Sequence, residues 1–139
     1  MANADASFLS KRLDAGAVPL AVVDVVAIVA VLTAGTVHHN GVAFVSANPL
    51  YLVGVLAPFL LGWVVAAPLL GAYSPGAAES AKAAIPLAVR SWVVADLVGV
   101  GLRATPLFSG GFAITFVAVS LVTGLVAIVA GRWAYFRLR

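Results

Sequence analysis

Residues 17–37 read AVPLAVVDVVAIVAVLTAGTV, an apolar run in which Asp24 is the only charge. An α-helix rises ~1.5 Å per residue and bilayer hydrocarbon is roughly 30 Å thick, so this run is long enough to cross it once. Three further runs of the same character follow at residues 49–73, 83–102 and 111–131. The chain is 63% hydrophobic and only 9% charged, with a mean hydropathy of +1.13. That is too little charge to cover the surface of a soluble domain. The expected fold is therefore all-α: a polytopic membrane protein with a four-helix transmembrane bundle. Residues 1–16 form a polar leader and residues 17–139 the membrane domain, which leaves no room for a soluble catalytic domain.

The first run exceeds the ~7–15 apolar residues of a signal peptide and has no small-x-small cleavage site after it, so it reads as a retained helix. In the leader, Phe8, Leu9 and Leu13 beside Lys11 and Arg12 suit a turn or two lying on the membrane surface, or a loosely ordered terminus. The connections are short. His38, His39, Asn40 and Gly41 close the first helix, and Asn48-Pro49 reads as an N-cap followed by proline at the first helical position. Gly71 and Ser74-Pro75-Gly76 mark the second connection, and Thr105-Pro106 to Gly110-Gly111 the third.

Basic residues set the orientation. Lys11, Arg12, Lys82, Arg132, Arg137 and Arg139 fall on one side and Arg103 alone on the other, so both termini are expected in the cytoplasm and the location is the plasma membrane. Trp133, Tyr135, Phe136 and Tyr73 suit an interfacial aromatic belt. These basic residues flank apolar runs and form no polar patch, so nucleic acid is not an expected partner. With no cysteine in the chain, disulfides and thiol chemistry are excluded.

Membrane helices associate where small residues let backbones approach. Each run carries such a stripe: Ala17, Ala21, Asp24, Ala27, Val31 and Gly35; Gly54, Pro58, Gly62 and Ala66; Ala84, Ala88, Ser91, Ala95 and Gly99; Ala113, Ser120, Gly124, Ala127 and Gly131. Pro58 and Pro68 deprive the carbonyls of Gly54 and Val64 of their helical donors, which makes either a kink or a polar lining. The segments AVPLAV at 17–22 and AIPLAV at 84–89 hint at a duplicated hairpin, although Ala, Val and Leu are abundant throughout.

Charges at lipid depth are costly and are the sharpest functional signal. Asp24 and Arg90 each lie about seven residues into their runs, roughly 10 Å deep, which suggests an interhelical pair. Asp96 sits deeper, about 240° around its helix from Arg90. Arg103 shares the face of Asp96 but lies about 10 Å further along, so a water or a polar side chain such as Ser120 or Thr123 would have to bridge them. His38 and His39 point apart on a helix and have no acid or cysteine nearby, so no metal site and no cofactor are expected. Neither a nucleophile–base set nor a phosphate-binding loop is visible, so no catalytic residue is assigned.

Ala57-Pro58-Phe59-Leu60-Leu61-Gly62-Trp63, Ala67-Pro68 and Gly71-Ala72-Tyr73 carry a further signal, with Asp24, Trp92, Ala95-Asp96, Gly99 and Leu102-Arg103-Ala104-Thr105. In these segments the chain resembles an uncharacterised family of small prokaryotic four-helix membrane proteins, defined only as a domain of unknown function. The resemblance spans most of the chain and implies fold and location but no activity. Three functional classes follow. The leading one is a non-enzymatic membrane subunit, whose partners are the lipid bilayer and either further copies of the chain or another membrane protein. The second is a small ion, proton or solute transporter or channel using Asp24, Arg90 and Asp96. The third is a membrane-embedded enzyme acting on an apolar substrate.

Overall fold

The computed structural model describes Phe8, residues 10–108 and residues 110–139. Its elements are α1 (Val18–Asn40), a short α2 (Val42–Ala47), α3 (Pro49–Leu69), α4 (Ala81–Arg103) and α5 (Ile114–Leu138). Helices α1, α3, α4 and α5 are each long and apolar enough to cross a membrane. No strand occurs among the described residues.

Local chemistry sets the helix ends. Pro19 and Pro49 occupy the first turns of α1 and α3, where a missing N–H costs nothing. Gly41 has φ +87° and ends α1, separating it from α2. The side chain of Asn48 does not cap α3; its amide donates instead to the carbonyl of Phe44, closing α2. α3 stops at Leu69 rather than continuing to Tyr73. Gly71, at φ +84°, turns the chain left-handed and Ala72 N–H bonds back to the Ala67 carbonyl. α4 begins two residues earlier than its apolar run, because Ser80 accepts a hydrogen bond from Ala83 N–H. α5 runs on past Gly131 to Leu138 and so draws Arg132 into the helix.

The four spans form an up-down-up-down ring in which α1 neighbours α3 and α5, α3 neighbours α4, and α4 neighbours α5. The start of α1 with the residues just before it, and the C-terminal end of α5, lie at one end of the bundle with the 70–80 connection. Asp14 N–H bonds to the Tyr73 carbonyl, and the Arg139 guanidinium donates to the Ala78 carbonyl. In the leader, Arg12 reaches the carbonyl of Leu69 at 2.8 Å and Leu13 bridges to Tyr73, so this segment is tied to the bundle. Residues 1–7 and Leu9 of the expected leader lie outside the described residues.

The small-residue stripes proved right for α4 and only partly right elsewhere. Ala84, Ala88, Ser91, Ala95 and Gly99 are all buried, and Gly62 meets the backbone of Ala95. Gly54, in contrast, faces open space. On α1 the buried line is Leu20, Asp24, Ile28, Leu32 and Thr36, and on α5 it is Ser120, Gly124, Ile128 and Arg132. Ala27, Val31, Ala127 and Gly131 instead line an open groove between α1 and α5. Outward-facing positions carry Val22, Val26, Leu61, Val64, Leu97, Val122 and Val126, a surface suited to lipid tails. The suggested duplication finds no match in position, since Pro19 is the second residue of α1 and Pro86 the sixth of α4.

Candidate functional site: two polar clusters in an apolar bundle

Among the described residues six polar or charged ones are buried: Asp24, Thr36, Ser91, Asp96, Ser120 and Arg132. Thr36 and Ser91 return their hydroxyl protons to the carbonyls of Leu32 and Leu87 one turn back, which satisfies them locally. The other four build two clusters at opposite ends of the bundle.

The first cluster joins all four spans near the chain termini. Asp24 on α1 and Arg132 on α5 form an ion pair in which both side chains are fully buried. The guanidinium engages the carboxylate as a fork: Nε donates to Oδ1 at 2.9 Å and Nη2 to Oδ2 at 2.7 Å. Nη1 donates to the carbonyl of Ala84 in the first turn of α4, and Nη2 also to that of Ala72. The Tyr73 hydroxyl donates to Asp24 Oδ2 at 2.7 Å and accepts from the Trp63 indole of α3 at 2.8 Å. Burial, reinforced by the charge on Asp24, pushes the Tyr73 hydroxyl well above the ordinary tyrosine range, so it stays a proton donor. A buried pair this fully hydrogen-bonded can offset the cost of removing two charges from water.

This arrangement corrects the expected partner of Asp24. α4, which carries Arg90, lies across the ring from α1, whereas α5 is its neighbour. Arg90 is exposed, and its Nε and Nη2 both donate to the Leu70 carbonyl at the frayed end of α3. Sequence reasoning misses Arg132 as a partner because the apolar run ends at Gly131, which places it among the flanking charges. Its signal was the four-residue spacing of Ser120, Gly124, Ile128 and Arg132, which keeps it on the inward line. Tyr73, expected in the interfacial belt, turns its hydroxyl into this network.

The second cluster is at the end far from the termini. Asp96 is fully buried; Ser120 donates to its Oδ1 at 2.7 Å, while Oδ2 has no partner among the described residues. Ser120 thus reaches Asp96 but does not bridge it to Arg103; Thr123 bonds to the Val119 carbonyl, and no side chain links Asp96 to Arg103 among the described residues. Arg103 stacks on the Phe116 ring, 3.6 Å from its centroid, and its buried Nη1 is likewise without a partner among the described residues. In front of these groups opens a cleft of about 470 Å³, walled by Thr36, His39 and Asn40 of α1, Tyr51 of α3, and Thr115, Ser120 and Thr123 of α5. His38 stacks edge-on against His39 at 5.2 Å and does not line the cleft.

Between the clusters the interior is apolar apart from Ser91, whose hydroxyl is bonded within α4. Ile28, Phe59, Trp63, Trp92 and Ile128 are buried together, and the Trp92 indole fills the space left by Gly124 and donates to the Leu121 carbonyl. Along α5, Arg132 and Ser120 are separated by roughly 18 Å. α3 continues through the buried Pro58, and Pro68 falls in its last turn; Gly54 and Val64, whose carbonyls those prolines free, line neither the cleft nor the α1–α5 groove.

A bundle of four apolar spans, closed by a buried ion pair and facing outward with valine and leucine, is a multi-pass integral membrane protein. Residues 21–135 match the family described as protein of unknown function (DUF3054), and the chain belongs to that family. Comparison with curated proteins and with solved structures finds no match.

Proposed function

We propose that this chain is a non-enzymatic subunit of the plasma membrane, a rigid four-span unit that works by assembling with further copies of itself or with another membrane protein. The observation that carries this reading is the aromatic block between the two polar clusters. Phe59, Trp63 and Trp92 are each no more than 2% exposed and pack with Ile28 and Ile128 into one apolar core, where the hydroxyl of the buried Ser91 is spent on the Leu87 carbonyl. A polar solute crossing there would have to shed its water against side chains that cannot replace it. The short connections support the same reading, since they leave little chain outside the lipid. The test is the native mass of protein extracted gently from its membrane, paired with flux measurements on the purified protein in liposomes. A stoichiometric oligomer or partner without flux is the expected result. Flux of protons, ions or a small solute by the protein alone would overturn it.

A transporter is the second reading, favoured by the unpartnered Oδ2 of Asp96 behind the cleft. It requires the aromatic block to move. It predicts that Asp96→Asn abolishes flux while leaving the fold intact.

A further inference from the structure

The far-end cleft combines three properties. It is large enough for an organic molecule rather than a bare ion, since ligand sites span about 300–1,000 Å³. It holds one cation, Arg103, with no ion-pair partner among the described residues. Its walls are divided between hydroxyl or amide groups and the apolar side chains of Val31, Val55 and Val119.

Arg103 is held for recognition rather than left to wander. It closes α4, and the following loop folds back so that Gly111 N–H bonds to its carbonyl. Phe116 supports the guanidinium plane from one side, and Gly110 packs so closely against its stem that a Cβ there would overlap Nε. A guanidinium fixed by stacking loses less freedom on binding and presents its N–H fork in a set plane. Asp96, the one acid at this end among the described residues, sits behind Ser120 and does not line the cleft, so the wall that a ligand meets is cationic. His39, Asn40, Tyr51 and Thr115 add polar groups around the same opening.

We infer that this cleft binds an amphiphile with an oxyanion head, a phosphate or carboxylate, which pairs with Arg103 while its apolar body lies along Val31, Val55 and Val119. The head group's charge supplies the counter-ion that the described residues lack there. The inference does not depend on the subunit reading, because a static binding site serves a subunit and a transporter alike.

The test uses the full-length protein, delipidated in a neutral detergent and separately reconstituted in phosphatidylcholine nanodiscs. Dodecyl phosphate is titrated into the first and phosphatidate is incorporated into the second, with binding read by calorimetry and native mass spectrometry. Saturable binding is expected in at least one arm. It should weaken roughly ten- to a hundredfold in Arg103→Gln, as loss of a charge-assisted contact implies, and be recovered only in part in Arg103→Lys, which keeps the charge but not the stacked fork. Thr115→Val, a substitution at an exposed wall position, should weaken it less. Binding in detergent alone identifies a soluble amphiphile as the ligand type, and binding in nanodiscs alone identifies a lipid head group. The inference is overturned if neither probe binds saturably, or if dodecanol binds as well as dodecyl phosphate. It is also overturned if Arg103→Gln binds like the wild type while its helical circular dichroism is unchanged.

Discussion

Asp24 illustrates how much one buried carboxylate can organise. Its two oxygens receive three hydrogen bonds, from Arg132 twice and from Tyr73 once, and through these it touches α5 and the 70–80 connection. Removing either charge leaves the other buried and unpaired, so Asp24→Asn and Arg132→Gln should each cost about 3–5 kcal/mol. The double variant should cost clearly less than their sum, as read by denaturant unfolding in detergent. Arg132→Lys should recover little, because a single ammonium cannot span both oxygens and the Ala84 carbonyl. Tyr73→Phe should cost about 1–3 kcal/mol, since it strands the Trp63 N–H. The tyrosine also gives the fold an alkaline limit. Its folded-state pKa is raised, so the folded form holds the proton more tightly than the unfolded form. That contribution is complete below about pH 10, the ordinary tyrosine value, and is lost as the pH climbs beyond it. Thermal unfolding above that pH should therefore fall more steeply for the wild type than for Tyr73→Phe. The sequence made Asp24 conspicuous but hid its partner. A charge one residue beyond an apolar run looks the same whether the helix ends there or continues, and only the helix's continuation to Leu138 decides that Arg132 turns inward.

Among the elements, α3 and α4 share the most extensive packing, and glycine permits it. A Cβ on Gly62 would stand 2.5 Å from the carbonyl oxygen of Ala95, which is backbone and cannot yield. One on Gly99 would stand 2.5 Å from the Phe59 ring, and one on Gly124 would overlap the Trp92 indole. Gly62→Ala and Gly124→Ala should thus each destabilise by about 1–3 kcal/mol, the range for overpacking a filled core. Gly35→Ala and Gly54→Ala, with nothing within 4 Å, should be neutral or slightly stabilising. Thermal unfolding of the four variants side by side checks both halves. The same contrast explains why the small-residue stripes were legible on α4 and misleading on α1. Spacing identifies a face, but not whether small residues there admit a neighbour or border a groove. On α1 the inward line is built from Leu20, Ile28 and Leu32, and its apolar neighbours on every side carry no periodic contrast to betray it. The helix ends were missed for a related reason: Ser80 as a cap and Gly71 as a stop act through the backbone, beyond the reach of hydropathy.

At the scale of the whole molecule, the network changes the charge count behind the orientation. Arg132 is neutralised inside the bundle and no longer serves as a flanking charge. The end bearing the termini still carries Lys11, Arg12, Lys82, Arg137 and Arg139, while the far end carries Arg103. Asp14 and Glu79 share the first end, but acidic residues weigh little in orientation. The bias therefore survives, and we expect the termini on the cytoplasmic side, with the Arg103 cleft opening on the other face. The chain has no cysteine, so single-cysteine reporters are free of background. Leu107 is 81% exposed in the far-end connection, and Glu79 is exposed in the connection beside the termini. An impermeant maleimide added to intact cells should label Leu107→Cys at once and Glu79→Cys only after the membrane is opened. The reverse pattern would turn the cleft inward, and an oxyanion amphiphile would then have to reach Arg103 from the cytoplasm. The orientation thus decides which compartment, or which leaflet, supplies the ligand of the cleft.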